Sequence, residues 1–451
     1  MSDEQYDVLN NRLLIPFEYI EEESINHLLK PKKEVLQLEK KDGKHSFLWY
    51  DTGLSLDHAI SLGSKGNVVY YFTEYRTRYP HIEDYISGYG FNEIQKVMDY
   101  GTVLDNVDVI VFSDVGFATF SNYLRKHGKA VFGASILGEQ LENDRVFMLS
   151  TMQKLGIKVP QHTVLQGKKA LLDHAEKYGF PFYVKLNIFR GNFETMKVNS
   201  MSELILALEE SKFGMLCDEL TFIVTKPVKG VEIGVDTFFN GNEFLYPINF
   251  GNEVKGTGSQ HNKIVDECVW DEVLISLEEY LKNSGYRGAI SFEGIYDGND
   301  ISLLDVTARL FYPASSIYPA NLENYDDVIY AVANGEHIIP KFKKKYAVTF
   351  VMTRERENRW TKINMESPEL FNTNVFFPRG VIKANNEIWA VPNDRIIAVV
   401  VGLGDSYNES LQEAIRISKT LSANESAIDY SSVERYKEDY LTELENYGIV
   451  F

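Results

Sequence analysis

The hydrophobic pattern of the first third of the chain predicts buried strands separated by short helices. Four apolar runs carry the strand pattern, namely FLWYD, VVYYFTEY, VDVIVFSD and KAVFGAS, all between residues 47 and 135. Strands that alternate with helices indicate a parallel α/β unit. Because ligands bind outside the carboxyl ends of such strands, the loops expected to form a crevice are 51–57, 73–79, 113–117 and 133–135.

The pattern continues with an amphipathic helix from about residue 143 that stops at Gly156 and enters a strand after Pro160. Residues 179–198 predict two strands around a glycine-containing loop, and residues 218–250 predict a strand, an extended linker and a β-meander. A helix over 270–285 has apolar positions at helical spacing and ends at Gly285.

The most informative segment is GAISFEGIYDGNDISLLDVTARLFY, residues 288–312. Two apolar runs flank the polar turn DGND, so the segment predicts a β-hairpin. Pairing across the turn would bring Glu293 and Asp305 together near Arg309. Two close carboxylates repel each other and need a counter-cation, and Mg²⁺ is the usual ion where oxygen ligands meet a phosphate. The alternative is an ordinary hairpin with solvated acids.

After about residue 345 the strands and the helix over 411–421 indicate an α+β region. We therefore predict an N-terminal extension at 1–43, a parallel α/β domain at 44–140, a domain of two subdomains at 141–345 and a C-terminal α+β domain at 346–451.

Composition narrows the function. The chain has 451 residues, a formal charge of −19 and a pI of about 5.0, which disfavour a general nucleic-acid or anionic-membrane surface. No apolar run is long enough to span a bilayer, and the N-terminus lacks the features of a secretory signal. The two cysteines, Cys217 and Cys268, fit free thiols in a reducing compartment. We expect a cytoplasmic protein, monomeric or homodimeric, acting on small molecules.

Three segments are candidates for nucleotide or substrate contacts. Lys185 ends a strand and precedes the loop IFRGNF, in which Arg190 supplies a cation and Gly191 lets the backbone approach a phosphate. The segment FIVTKPVKGVEIGVD offers an extended linker for a planar base and Glu232 for ribose hydroxyls. The stretch 252–263 is expected to be a polar loop, with His261 solvated or facing substrate and not ligating a metal.

In this order, the segments resemble the ATP-grasp superfamily, in which two subdomains hold ATP between them and acidic strands position Mg²⁺. Over residues 45–445 the chain is similar to the phosphoribosylamine–glycine ligase family. The similarity lies in His58-Ala59, in VFGAS, in LENDRVFMLSTMQKLGIKVP, where Arg145 replaces a family lysine, and in the pattern of residues 396–421.

The resemblance implies roles residue by residue. Lys185 matches a phosphate-contacting lysine, Glu232 an acid near the ribose, and Arg309 an arginine that faces the transferred phosphoryl group. Residues 224–228, including Thr225, Lys226 and Val228, match the adenine-contacting linker. The metal positions fall on Glu293, on Asp305 in place of a family glutamate, and on Thr307 in place of a family asparagine. Catalytic roles are expected for Arg309 and Arg190.

The expected substrate positions differ most from the family pattern. They are His58, Ser113, Asp114, Lys255, Thr257 and Arg309. Ser113 and Asp114 replace residues of a turn that holds a ribose phosphate, and an aspartate there repels a phosphate. The loop with Lys255 and Thr257 is at best a distant form of the one that helps to hold glycine and ATP.

The resemblance implies an ATP-dependent ligase that forms an amide through an acyl phosphate and releases ADP and phosphate, with ATP and Mg²⁺ or Mn²⁺ as cofactors. A related ligase with a different amine is favoured over unmodified phosphoribosylamine–glycine ligation. Two alternatives stay open. One is a non-catalytic nucleotide-binding protein, suggested chiefly by Thr307 at a ligand position. The other is a carboxylating enzyme, which would need bicarbonate.

Overall fold

A parallel sheet opens the fold of this computed structural model, which describes residues 43–73, 86–187, 195–210, 218–254, 256–392 and 394–451. The strand order is β3-β2-β1-β4-β5, and the predicted α/β unit is confirmed. Its elements are β1 Ser46–Asp51, α1 Leu56–Ser64, β2 Val68–Thr73, β3 Gln95–Lys96, β4 Val109–Phe112, α2 Ala118–Lys126 and β5 Val131–Phe132.

Two helices then lead into a small antiparallel sheet of order β6-β9-β7-β8. The predicted helix from about residue 143 is confirmed, although a break at Asp144 separates it from the helix before it. The elements are α3 Ile136–Asn143, α4 Arg145–Lys154, β6 His162–Gln166, α5 Gly167–Tyr178, β7 Phe182–Leu186, β8 Thr195–Val198, α6 Met201–Glu210 and β9 Thr221–Thr225.

A large antiparallel sheet has the order β14-β13-β10-β11-β12-β15-β20-β17, with β22 paired to β15. The predicted hairpin at 288–312 is confirmed as β13 and β14. The elements up to residue 334 are β10 Val231–Phe239, β11 Ile248–Val254, β12 Ser259–Val265, α7 Asp271–Ser284, β13 Gly288–Tyr296, β14 Ile301–Thr307, α8 Ile317–Asn321 and α9 Tyr325–Asn334.

The last hundred residues contribute to this large sheet and also form another sheet of order β18-β19-β16-β21. Strand β15 pairs with β12, so the region predicted as a C-terminal α+β domain shares a sheet with the preceding region. The elements are β15 Tyr346–Arg354, β16 Thr361–Met365, β17 Val375–Phe376, β18 Val381–Ala384, β19 Glu387–Ala390, β20 Ile396–Gly404, α10 Tyr407–Ser418, β21 Leu421–Ala423, β22 Ser426–Ile428 and α11 Tyr430–Asn446.

The large sheet buries one face against α4 and α7 and leaves much of the other face polar. Helix α7 packs Leu274, Leu277 and Leu281 against Phe292 of β13 in one apolar cluster. Each such side chain contributes about 1.5–3 kcal/mol on burial. Because neighbouring residues of a strand point to opposite faces, the apolar packing of Phe292 directs Glu293 to the other face. Among the described residues, no helix is long and apolar enough to cross a membrane.

Candidate functional site

Two of the three predicted metal ligands are register partners in the hairpin. Glu293 of β13 lies directly opposite Asp305 of β14, and Ser291 lies opposite Thr307. Side chains of directly paired residues lie on the same face, with Cβ atoms about 4.5–5.5 Å apart. A β-bulge follows Glu293, which bends the strand at the position of the acidic pair. The predicted approach of the two acids is therefore present.

Asp305 is held by two cations from other parts of the fold. Lys185 Nζ, at the end of β7 in the small sheet, lies 2.8 Å from Asp305 Oδ2. Arg145, the first residue of α4, donates to Asp305 Oδ1. Burial opposes ionisation of Asp305, but the two cations outweigh it and the pKa of the carboxyl is lowered. The carboxylate is thus held ionised between two cations.

Arg309 lies just beyond the hairpin and joins three segments of the chain. Its Nε is 3.0 Å from Glu142 Oε1 in α3 and 3.1 Å from Asp114 Oδ1 after β4. Glu142 Oε2 also accepts a hydrogen bond from the Ala308 backbone at 2.8 Å. Burial lowers the pKa of Arg309, but Glu142 and Asp114 outweigh that effect and raise it. The guanidinium is therefore a positive charge held in place by Glu142 and Asp114, just beyond the end of the hairpin.

The α3–α4 corner contains two residues to which the sequence assigned no role at this site. Glu142 orients Arg309, and Arg145 pairs with Asp305. Asp144 caps α4 by accepting from the Phe147 backbone at 2.9 Å, which sets the direction of the first turn. The motif LENDR carried the signal, since it was already matched to a family helix. Its contact with the hairpin spans 160 residues and could not be found from local pattern.

Two of the predicted nucleotide positions, Lys185 and Thr225, line a narrow cavity of about 20 Å³ between the two sheets. Arg145 lines it too, together with apolar side chains, which are Met148, Leu149, Pro160, Ile223 and Leu304. Ligand pockets have volumes of roughly 300–1,000 Å³, so this cavity is too small for a planar base. Val228 is half-buried and Lys226 is exposed after the end of β9. Glu232, on β10, is half-buried, and its backbone carbonyl accepts from Tyr440.

The predicted substrate positions are divided between the cleft and the interior. Asp114 accepts from Thr52 at 2.9 Å in addition to its contact with Arg309. Ser113 is buried and donates to Asp51 at 3.0 Å. His58 is fully buried, with ring nitrogens 2.6 Å from the Tyr325 hydroxyl and 3.0 Å from that of Ser315. Burial lowers the pKa of His58 to about 3, so the ring is neutral at pH 7. Its hydrogen bonds hold it in the protein interior and do not face the cleft.

The expectation of a polar loop at 252–263 was wrong. Most of this stretch lies in the paired strands β11 and β12, joined by a tight turn in which Thr257 bonds back to Val254. His261 is buried and its ring contacts the Tyr407 hydroxyl, so it is not solvated. Because β12 pairs with β15, the segment lies inside the large sheet. The polarity of its residues therefore did not predict its secondary structure. Arg190, Gly191 and Lys255 lie outside the described residues.

The acidic pair fits a divalent cation with additional ligands from a phosphate. Glu293 and Asp305 supply carboxylate oxygens on adjacent strands, and Thr307 supplies a hydroxyl on the same face. In the described part of the chain, no group of three or more His, Cys, Asp or Glu residues forms a complete metal site. Two carboxylates with phosphate and water ligands are the usual environment of Mg²⁺.

Comparisons with known proteins agree with the overall fold. The structure superposes on the crystal structure of phosphoribosylamine–glycine ligase from Thermotoga maritima with a TM-score of 0.66 and 17% identity, covering 85% of this chain and 98% of that one. It also superposes on the biotin carboxylase domain of the 2-oxoglutarate carboxylase of Hydrogenobacter thermophilus, crystallised with MgADP, ADP and bicarbonate. There the TM-score is 0.65 and the identity 11%, over 89% of this chain and 98% of that one.

In sequence, the chain is 22% identical over 219 residues to phosphoribosylamine–glycine ligase of Clostridium acetobutylicum, covering 44% of this chain and 52% of that protein. The chain spans about half or less of the length of the first curated relatives that it matches. No protein-family model matches the sequence.

Proposed function

Because the chain has the ATP-grasp fold, we propose that it is an ATP-dependent ligase that joins a carboxylate to an amine. The observation that carries the proposal is the bridge between the two sheets. Lys185 of the small sheet meets Asp305 of the acidic pair on the large sheet. The cleft between them thus has a cation on one wall and, on the other, two carboxylates that would hold the metal ion in the proposed reaction.

In the proposed reaction a substrate carboxylate oxygen attacks the γ-phosphorus of ATP. The bond to the β–γ bridging oxygen breaks, ADP leaves, and an acyl phosphate remains. The amine then attacks the acyl carbon, phosphate leaves, and the nitrogen gives up one proton to form the amide. Both attacks follow from positioning, and no enzyme nucleophile is required.

The main barrier is the approach of two anions, a carboxylate and a triphosphate. Bound at Glu293, Asp305 and Thr307, Mg²⁺ would supply positive charge at the phosphates. Lys185 and Arg145 supply further charge from the opposite wall, and Glu142 and Asp114 hold Arg309 at the end of the hairpin. Fixed charges of this kind are each worth roughly 3–4 kcal/mol in mutant kinetics.

For the substrates, we infer an amino acid joined to a small or nucleotide-like amine, as in a divergent phosphoribosylamine–glycine ligase. Asp114 supports a changed amine site, because it replaces a phosphate-binding position and is committed to Arg309. An ordinary turnover rate with phosphoribosylamine and glycine would show that the amine site is unchanged.

The proposal is tested by phosphate release from ATP with pairs of carboxylates and amines, with and without Mg²⁺. We expect release that needs both substrates and the metal, together with formation of ADP and the amide. Glu293→Ala serves as the inactive control. If no pair raises release above the rate of that variant, the ligase proposal fails.

A second candidate is a nucleotide-binding protein without catalysis. It is favoured by Thr307 at a ligand position and by the two cations that already neutralise Asp305. Thermal stabilisation by ATP with and without Mg²⁺ discriminates the two. A protein that uses the acidic pair as a metal site shows stabilisation that depends on Mg²⁺, whereas a binder that has lost the site does not.

A further inference from the structure

Two neighbouring cross-strand rows of the large sheet form a floor beside the acidic pair. The first row runs from Asn262 through Gly251, Gly234 and Glu293 to Asp305. Register partners share a face, so two glycines without side chains separate Asn262 from Glu293. Three strand spacings of about 4.8 Å place their backbones roughly 14 Å apart. A Cβ built on Gly234 would have only the Gly251 and Phe292 carbonyl oxygens within 4 Å, so no side chain covers the floor at this point.

The second row lies beside the first on the same face of the sheet. Asp236 of β10 lies opposite Asn249 of β11 on one side and Ser291 of β13 on the other. Tyr318 of α8 covers the row, since its ring packs on Phe238 with centroids 4.6 Å apart. Its hydroxyl is near Asp236 and Asn249. The row is thus polar but closed off from bulk water.

Gly251 allows the two rows to meet. A Cβ at this position would lie 3.0 Å from Asn262 Cγ and 2.1 Å from the His261 carbonyl oxygen. Because Gly251 has no side chain, the Asn262 side chain can extend across it toward Asp236. Burial raises the pKa of Asp236 to about 7 and the charge of Glu293 adds to this effect, while the nearby Ser291 hydroxyl and Asn262 amide oppose it.

The polar atoms of these two rows are buried without complete hydrogen bonding. Asn249 is 0% exposed and Asn262 is 1% exposed, yet among the described residues none of their amide oxygens and nitrogens makes a hydrogen bond with both good length and good angle. The Ser291 hydroxyl is in the same condition. Leaving one buried polar group unsatisfied costs about 1–3 kcal/mol, so a set of them on one face indicates a site for a polar ligand.

On the basis of the proposed ligase function, we propose that this floor binds the primary ammonium group of a substrate, with Asp236 as its counter-charge and Asn249, Asn262 and Ser291 as its hydrogen-bond partners. A cation is the required class because the only charge in the second row is a carboxylate, and Glu293 adds another nearby. An anion there would meet two acids. Asp236 is diagonal to Glu293 across β10 and β13, about 7–8 Å away, so the ligand reaches the metal site with its other end.

The same positions are unsuited to a purely structural role. A well-packed core at this depth would place apolar residues opposite one another, as Val235 and Phe292 do on the reverse face of the same strands. An acid, two amides and a hydroxyl cost stability there unless a ligand satisfies them.

The test uses four primary amines, each paired with its hydroxyl analogue: glycine with glycolate, β-alanine with 3-hydroxypropionate, ethanolamine with ethylene glycol, and putrescine with 1,4-butanediol. Binding to the full chain saturated with Mg²⁺ and a non-hydrolysable ATP analogue is measured by calorimetry, and phosphate release is measured separately with ATP. We expect at least one amine to bind while its hydroxyl analogue does not.

Asp236→Asn should lower the affinity for that amine by roughly 10- to 100-fold, because a charged hydrogen bond is lost. The affinity for the ATP analogue should stay within about twofold of the wild type. Gly234→Ala is a second variant that places a methyl group on the floor, 3.2 Å from the Gly251 carbonyl oxygen. It should also weaken the amine without affecting the nucleotide. Asp326→Asn, which removes a buried acid of α9 outside the cleft, is the matched control.

The inference is overturned if no amine binds, if hydroxyl analogues bind equally well, or if Asp236→Asn retains the affinity of the wild type. Amine binding that depends on Asp236 without any phosphate release would support the site and refute the ligase reaction. Phosphate release that is indifferent to both Asp236→Asn and Gly234→Ala would support the ligase and refute the site.

Discussion

Lys185 Nζ donates to Asp305 Oδ2 at 2.8 Å, and this pair joins the small sheet to the large sheet. One partner is expected to contact a phosphate and the other to bind a metal ion. When a phosphate and its metal ion bind together, the phosphate can pair with Lys185 and the metal ion with Asp305. The two side chains can then separate without leaving either charge unpaired. The Asp305 side chain is 32% exposed, so this exchange does not require burial of a bare charge.

Lys185→Met should weaken ATP binding by roughly 10- to 100-fold, because one charge-assisted contact to phosphate is removed. Calorimetry with Mg²⁺ and a non-hydrolysable ATP analogue measures the change. Lys169→Met, on the exposed side of α5, is the matched control and should bind normally. Equal affinities of the two variants would remove Lys185 from the nucleotide site.

Glu293→Ala and Asp305→Ala should each reduce ATP turnover by at least ~10²-fold, since each removes a metal ligand. In both variants, the part of the thermal stabilisation by ATP that depends on Mg²⁺ should also disappear. Asp300→Ala, in the exposed turn of the same hairpin, controls for damage to the hairpin. An unchanged rate of ATP consumption in either variant would refute the metal role.

Arg309→Lys should lower turnover by roughly 10²- to 10³-fold, even though the charge is kept. A lysine cannot reproduce the planar guanidinium that contacts both Glu142 and Asp114. Steady-state kinetics should show the loss mainly in kcat. Arg416→Lys, on the surface of α10, should leave the rate unchanged. Full activity of Arg309→Lys would show that only its charge matters.

Asp57→Asn should change stability in a pH-dependent way. Burial raises the pKa of Asp57 from 3.8 to about 7, partly offset by a hydrogen bond from Ser316. Between these values the folded state holds a proton that the unfolded state has lost, so the wild type loses stability as the pH rises from 4 to 7. Asparagine has no such proton. The stability of the variant relative to the wild type should therefore increase by about 2–3 kcal/mol from pH 5 to pH 8.

Urea unfolding of both proteins at the two pH values measures this difference. The same difference in the free energy of unfolding at pH 5 and pH 8 would contradict a raised pKa of Asp57.

Gly251→Ala should destabilise the fold by about 1–3 kcal/mol, because its methyl group would overlap the His261 carbonyl oxygen. Thermal unfolding measures the loss. Gly380→Ala is the control, since a Cβ there would lie at an ordinary contact distance of 3.4 Å from Val391. If both variants unfold at the temperature of the wild type, β11 and β12 are not packed as described.

The sequence by itself determined the hairpin, because the DGND turn lies between two apolar runs. The register next to the turn, in which Gly294 pairs with Leu303, would place Glu293 opposite Leu304, and the β-bulge after Glu293 shifts the pairing so that Glu293 lies opposite Asp305. The parallel unit and α7 follow equally from local periodicity, because strand and helix patterns differ within a few residues. Lys185 at a strand end and Arg309 after the hairpin were also identified from such local signals.

Tertiary structure alone decided the rest of the site. Arg145 reaches Asp305 across 160 residues, and Glu142 reaches Arg309 across 167, so no local pattern reports either contact. The stretch 252–263 looked like a loop because its polar residues are conspicuous, yet pairing with β15 made it sheet interior. Asp236, Asn249 and Asn262 became a cluster only through the order of strands β10, β11 and β12. The packing of the whole domain sets which strands become neighbours. That strand order decides which buried polar residues lie side by side.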